Sequence, residues 1–258
     1  GKLYIVMELA DKGDLNDYCI MKKEKNQILK EIEIINISEQ ILNGLLYLHS
    51  NKILHRDLKL QNIFVFNNNI IKIGDFGISK ILNNSQELTK STIGTPYYLS
   101  PEVCKGEQYN FKADIWMFGC ILYELCSFDR PFKSTSLVEL MSKICTEELD
   151  LNLICTKYCN FITETIKICL NKDPLLRPDV KELKIKFENY KISNFESNNY
   201  NDKFNQNKNF NSSFKIKENR KDVNINNSKL ESSKSTQNIL SFYKNKISFY
   251  LCHATKFN

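Results

Sequence analysis

The sequence predicts an α+β fold, mainly α, with one small β-hairpin and a disordered C-terminal tail. Three observations point to it. Apolar residues recur at helical spacing in several windows between residues 31 and 190. Two short runs rich in β-branched and aromatic residues flank the turn Asn67-Asn68-Asn69. After about Tyr190 the chain turns to Asn, Lys and Ser with isolated aromatics, too little apolar surface to offset the entropy of ordering it.

In chain order, Leu3-Tyr4-Ile5-Val6-Met7-Glu8-Leu9 reads as a buried strand that meets the turn Ala10-Asp11-Lys12-Gly13. Asp14 is placed to cap a short helix through about Lys23. From about Glu31 to Asn51, the residues Ile34, Ile35, Ile41, Leu42, Leu45, Leu46 and Leu48 share one helical face. The runs Ile63-Phe64-Val65-Phe66 and Ile70-Ile71-Lys72-Ile73 form the hairpin. Residues 78–102 make a polar connection with few periodic apolar positions. Helical patterns resume at about 111–127, 136–145, 161–171 and 178–190. The expected division is a folded domain over 1–190 and an Asn/Lys/Ser-rich tail over 191–258.

The net charge of +6 belongs to that tail, which holds twelve Lys+Arg against five Asp+Glu. The first 190 residues hold twenty-four against twenty-five, so no nucleic-acid partner is expected for the domain. The nine cysteines include no Cys-x-x-Cys pair, which reads as free thiols in a reducing cytoplasm rather than a zinc site. No run of about 18 apolar residues predicts a transmembrane segment. Two apolar clusters, Ile239–Tyr243 and Ile247–Leu251, leave room for a peptide that binds a partner or a membrane surface.

The chemistry concentrates in His55-Arg56-Asp57-Leu58-Lys59-Leu60-Gln61-Asn62, followed after the hairpin by Asp75-Phe76-Gly77. Phosphoryl transfer needs a carboxylate to orient and deprotonate an attacking hydroxyl, and oxygen ligands to hold magnesium on the phosphates. Asp57 can be the first, with Asn62 and Asp75 the second. Lys59 can neutralise charge building on the transferring group.

This octet, with Asp-Phe-Gly at that distance, resembles the signature of eukaryotic protein kinases. The fold it implies is the large, C-terminal lobe. Lys59 matches the serine/threonine form. The string Gly94-Thr95-Pro96-Tyr97-Tyr98-Leu99-Ser100-Pro101-Glu102, with Leu3–Glu8 and Gly13-Asp14-Leu15, is most similar to the NIMA-related kinases.

The resemblance implies ATP and Mg2+ as cofactors, and protein Ser/Thr hydroxyls as acceptors. It makes Met7 the gatekeeper and gives Glu8, Leu9, Ala10, Asp14, Lys59, Asn62, Phe64 and Asp75 to the nucleotide site, with Phe64 as the adenine floor. Asn62 and Asp75 would bind metal. Thr95 would contact Asp57 and Lys59. Arg56 would be held by a phosphate in the 78–102 segment, on Ser91 or Thr92, with Ser91 favoured. Glu102 should pair with Arg177, Asp114 should hold the His55-Arg56 backbone, and Phe76 and Gly77 complete the motif. Ile78 suggests threonine as acceptor. Cytoskeletal, centrosomal or ciliary work is a further expectation.

Only nine residues precede the hinge, and no Gly-x-Gly-x-x-Gly or Lys-bearing strand comes before it. The small lobe is therefore expected to be missing, and residues 1–258 alone are expected to transfer phosphate at no useful rate. A non-catalytic scaffold built on a large-lobe remnant is the alternative. It has no physical need for the magnesium ligands.

Overall fold

Helices build almost all of the framework, and one two-stranded hairpin sits beside them. A computed structural model describes residues 7–75, 96–108 and 110–194. Ala10–Tyr200 forms one compact unit; Gly1–Leu9 groups with Asn201–Asn258 in another. In the latter only residues 7–9 are described. They adopt no strand, and Met7 and Leu9 are 58% and 81% exposed. The buried strand expected from this run is corrected at Met7–Leu9, which are exposed and take no strand conformation. Leu3–Val6 lie outside the described residues.

Helix α1 spans Leu15–Glu24, and the Asp14 carboxylate accepts a 2.9 Å bond from the Asp17 amide at its start. Helix α2 spans Glu31–Ser50 and buries Ile34, Ile35, Ile37, Ile41, Leu42, Leu45 and Leu48. Each such side chain contributes about 1.5–3 kcal/mol on burial. Glu33 ties the two helices, accepting from Tyr18 Oη and Lys22 Nζ, each at 3.2 Å.

Strands β1, Ile63–Phe66, and β2, Ile70–Ile73, pair antiparallel with Ile63 opposite Ile73. Asn68 and Asn69 take the left-handed backbone conformation (φ 59° and 58°) that asparagine tolerates better than most residues. Gln40 of α2 clamps the turn: its Oε1 accepts from Ile71 N at 2.8 Å, and its Nε2 donates to Asn69 O at 3.1 Å. On the other edge, Lys12 N donates to Val65 O at 3.1 Å and Val65 N to Gly13 O at 2.9 Å.

Helix α3, Pro101–Cys104, is a short turn the sequence pattern did not announce. Helix α4, Phe111–Ser127, starts from the Asn110 cap and is buried nearly all round, through Ile115, Trp116, Phe118, Ile121, Leu122 and Leu125. A helix apolar on every side belongs in the middle of a domain. At Gly119 a Cβ would come within 2.8 Å of Cys169 Cβ, so glycine lets α4 and α7 close up. Around α4 lie α5 (Leu137–Thr146), α6 (Asn152–Cys155) and α7 (Asn160–Cys169).

The last helix, α8, covers 180–194, starting two residues later than the periodicity suggests. Asp179 explains the offset, accepting from Lys181 N and Glu182 N while Glu182 accepts from Asp179 N, a reciprocal cap. The helix also runs past the expected domain end at residue 190. Tyr190 stacks on Phe161 at 3.9 Å and donates to Glu31 Oε1 at 2.6 Å, and Lys191 reaches Glu39 at 2.7 Å. Those contacts hold the first residues assigned to the tail. The expected disorder of the remaining tail, 195–258, falls outside the described residues.

Candidate active site

The loop between α2 and β1 is held from below. Leu58 and Leu60 are buried, while Asp57, just before Leu58, and Lys59, between the two leucines, are half-buried. Beneath the loop, the fully buried Asp114 of α4 accepts from two consecutive amides, His55 N on Oδ2 at 3.0 Å and Arg56 N on Oδ1 at 3.1 Å. His49 Nε2 lies 2.9 Å from the same Oδ2. These bonds to a charged acceptor hold Arg56 at φ 69°, a conformation that a non-glycine residue adopts only when its surroundings fix it. The expected part for Asp114 is what the geometry shows.

His55 is buried and links the loop to the hairpin's exit. Its Nε2 donates to Gly74 O at 3.0 Å, and its Nδ1 accepts from Asp57 N at 3.3 Å. That pattern fixes the neutral tautomer with its proton on Nε2. Burial lowers the imidazole pKa further, against the pull of Asp114.

Asp57 Oδ2 accepts from Lys59 Nζ at 2.9 Å and from Asn62 Nδ2 at 3.1 Å. The same Asn62 nitrogen donates to Asp57 O at 2.7 Å. The carboxylate is thereby oriented through one oxygen, and Oδ1 has no donor among the described residues. Asn62, itself buried, gives its amide nitrogen to Asp57 twice, which leaves its amide oxygen as the free acceptor of that side chain among the described residues.

The hairpin register brings the second acidic position alongside. Gly74 N donates to Asn62 O at 2.9 Å, continuing the Ile63–Ile73 pairing by one residue. Asp75 follows at once, exposed, at φ 52°. Phe64 of β1 is half-buried with its ring against Gly74, where a Cβ would meet Phe64 Cε2 at 2.4 Å. The amide oxygen of Asn62 and the carboxylate of Asp75 are hard oxygen donors, a chemistry that fits magnesium.

Farther out, Arg177 and Glu102 form a bidentate pair, with both N–O distances 2.8 Å. Arg177 also donates to the carbonyls of Asn171, Lys112 and Lys172, and lies 5.0 Å from the Trp116 ring centroid. Burial alone would raise the Glu102 pKa; the guanidinium outweighs it and holds the carboxyl below its usual range.

The structure thus assembles Asp57, Lys59, Asn62, Asp75, His55, Asp114 and Phe64 around one loop and hairpin, and pairs Glu102 with Arg177 farther out. Asp14 caps α1 and pairs with Phe64 as an isolated bridge at the hairpin edge. Ala10 is half-buried; Met7, Glu8 and Leu9 are exposed. Phe76, Gly77, Ile78, Ser91, Thr92 and Thr95 lie outside the described residues. Sequence reasoning missed His49 and Gly74, which act through a side chain and a backbone reached only by the fold. It also missed Glu124, buried on α4 against the Tyr98 hydroxyl.

Residues 1–186 match the protein kinase domain family. The chain is 49% identical over 146 residues to the serine/threonine-protein kinase Nek5 of Homo sapiens, covering 56% of this chain and 20% of that protein. It is 39% identical over 183 residues to the serine/threonine-protein kinase Nek4 of Mus musculus, covering 71% and 23%. It is 42% identical over 187 residues to the probable serine/threonine-protein kinase nek3 of Dictyostelium discoideum, covering 71% and 16%. Against these relatives the chain spans less than a quarter of their length.

Proposed function

We propose that this chain, which belongs to the protein kinase family and within it to the NIMA-related serine/threonine kinases, carries the catalytic-loop half of a site that transfers the γ-phosphate of ATP to Ser or Thr hydroxyls of proteins, and that residues 1–258 alone transfer phosphate at no useful rate. The observation that carries this reading is the one-sided anchoring of Asp57. With Oδ2 fixed by Lys59 and Asn62, Oδ1 is the atom left to orient an acceptor hydroxyl and take its proton.

Asn62 and Asp75 are the residues that would hold magnesium, through the amide oxygen and the carboxylate. Magnesium held there would supply positive charge to offset that of the phosphates. Lys59, already 2.9 Å from Asp57, stands where negative charge would develop between acceptor and donor. His55, neutral and bonded on both nitrogens, fixes the distance between the Asp57 side and the Asp75 side without adding a charge of its own. Phe64 gives the neighbourhood an apolar face suited to a purine. Threonine is the acceptor we favour, from Ile78, and phosphorylation at Ser91 the event that would engage Arg56.

The test is transfer from labelled ATP with magnesium to a Ser/Thr/Tyr peptide array, using the complete reading frame that contains this chain. Labelling of Thr and Ser peptides, and a loss of about 10²–10⁴-fold in Asp57→Asn, is the expected result. Equal labelling by the variant would discard the role given to Asp57, and Tyr labelling would discard the acceptor class.

A further inference from the structure

Away from the catalytic loop, two cysteines from different helices meet. Cys104 ends α3 and Cys145 lies near the end of α5. The Cys145 thiol is in hydrogen-bonding contact with Cys104, and it also points at Pro101 O, 3.8 Å away in the same turn as Cys104. Both residues are half-buried, so a small solute can reach them. Lys172 joins them: its Nζ donates at 2.7 Å to Ile144 O, the carbonyl preceding Cys145, and its charge acts on both sulfurs.

The other described cysteines are set differently. Cys120 and Cys169 are fully buried. Cys126 is buried too, and Cys159 shares a 3.2 Å contact with Tyr190 Oη. Cys155 is exposed, with no cysteine contact among the described residues.

We propose that Cys104 and Cys145 form a reversible redox pair, oxidised by hydrogen peroxide to a disulfide that staples α3 to α5. Burial, with Cys145 second, pushes the Cys104 thiol up to about 12, so Cys145 is the sulfur that attacks. The Cys145 sulfur displaces hydroxide from peroxide; the O–O bond breaks and a sulfenic acid forms. The Cys104 sulfur then attacks the sulfenic sulfur. Its S–H proton leaves with the departing hydroxyl as water, and the S–S bond closes. Two thiols give up two electrons and two protons, and one peroxide becomes two waters. The Lys172 charge acts on Cys104 against the larger effect of burial, favouring its thiolate when it closes the bond.

A reducing cytoplasm restores the thiols, as fits a transient sensing bond rather than a structural one. The mechanical effect falls on α3, whose Glu102 is already fixed by Arg177. The staple adds a second anchor to the exit of the segment that precedes it, and α4 becomes enclosed in the covalent loop.

The test is peptide mapping after brief peroxide treatment and alkylation of the remaining thiols. A Cys104–Cys145 cross-linked peptide that dithiothreitol removes is expected, together with a Tm higher by roughly 5 °C in the oxidised protein. Cys104→Ser and Cys145→Ser should each abolish the link and the Tm rise, and Cys155→Ser should leave both in place. Modification of the two thiols without linkage in the unsubstituted protein overturns the proposal, and so does a Tm rise that survives in Cys145→Ser. The mapping of the unsubstituted protein stands even if a serine variant folds poorly.

Discussion

Asp57 with Lys59 and Glu102 with Arg177 are both carboxylate–cation pairs, closed at 2.9 and 2.8 Å, and they are built for opposite ends. The Lys59 and Asp57 side chains remain 23% and 44% exposed, and the lysine holds a single oxygen. Such a pair is worth about 0–1 kcal/mol and can be reopened by anything that competes for the lysine. Arg177 and Glu102 are 0% and 2% exposed, and the arginine's remaining donors go to three backbone carbonyls. Breaking that pair strands a charge in the core. The same chemistry makes an open, exchangeable pair where water reaches it and a rivet where water does not.

The largest effect should come from the rivet. Arg177→Met leaves Glu102 buried without its cation and should cost about 3–5 kcal/mol in urea unfolding. Because the Glu102 pKa is held below its usual value, the pair's contribution is present above about pH 4.5 and is lost as pH falls below it. A loss under about 1 kcal/mol in Arg177→Met would end the contrast.

A third carboxylate sharpens it. Glu124 is 8% exposed, has no hydrogen-bond partner on Oε1, and burial raises its pKa to about 7, against the lowering effect of the Tyr98 hydroxyl and Arg130. Its folded form therefore holds a proton that the unfolded chain releases near 4.5. The sign follows: stability from this group is complete below about pH 4.5 and fades as pH rises through about 7. Glu124→Gln should remove that decline, on the order of 2 kcal/mol across the window, measured as the difference in unfolding free energy from the parent protein. Taking the difference cancels His55, whose lowered pKa gives the opposite slope, with stability lost as pH falls below about 6.5. Parallel curves for the two proteins would refute a buried protonated Glu124.

The smallest effect on stability belongs to the open pair. Asp57→Asn should shift the unfolding free energy by no more than about 1 kcal/mol while the transfer rate collapses. A variant that both unfolds and loses activity would make Asp57 a structural residue like Glu102.

Much of this was legible in the chain. The apolar faces of α2 and α4 and the Asn67–Asn69 turn follow from periodicity and local backbone preference, which act over a few residues. The candidate residues Asp57, Asn62 and Asp75, and the Glu102–Arg177 pairing, were legible as motifs at fixed spacing. What periodicity could not show depends on partners distant in sequence. Lys191 looks like the start of a polar tail until Glu39 is found beside it, next to a Tyr190 anchored on Phe161 and Glu31. Met7 and Leu9 look buried because they are apolar, yet burial needs a neighbouring surface. Glu124 reads as an ordinary helix charge; only the packing of α4 takes it out of water.

Gly74 carries one more consequence. Its Cβ position is occupied by the Phe64 ring, so the size of residue 74 and the size of residue 64 are two readings of one volume. A sequence of this family with alanine before the Asp-Phe-Gly motif should carry something slimmer than phenylalanine at position 64. Among relatives the two positions should therefore vary together, as lock and ward do, with neither free to change alone.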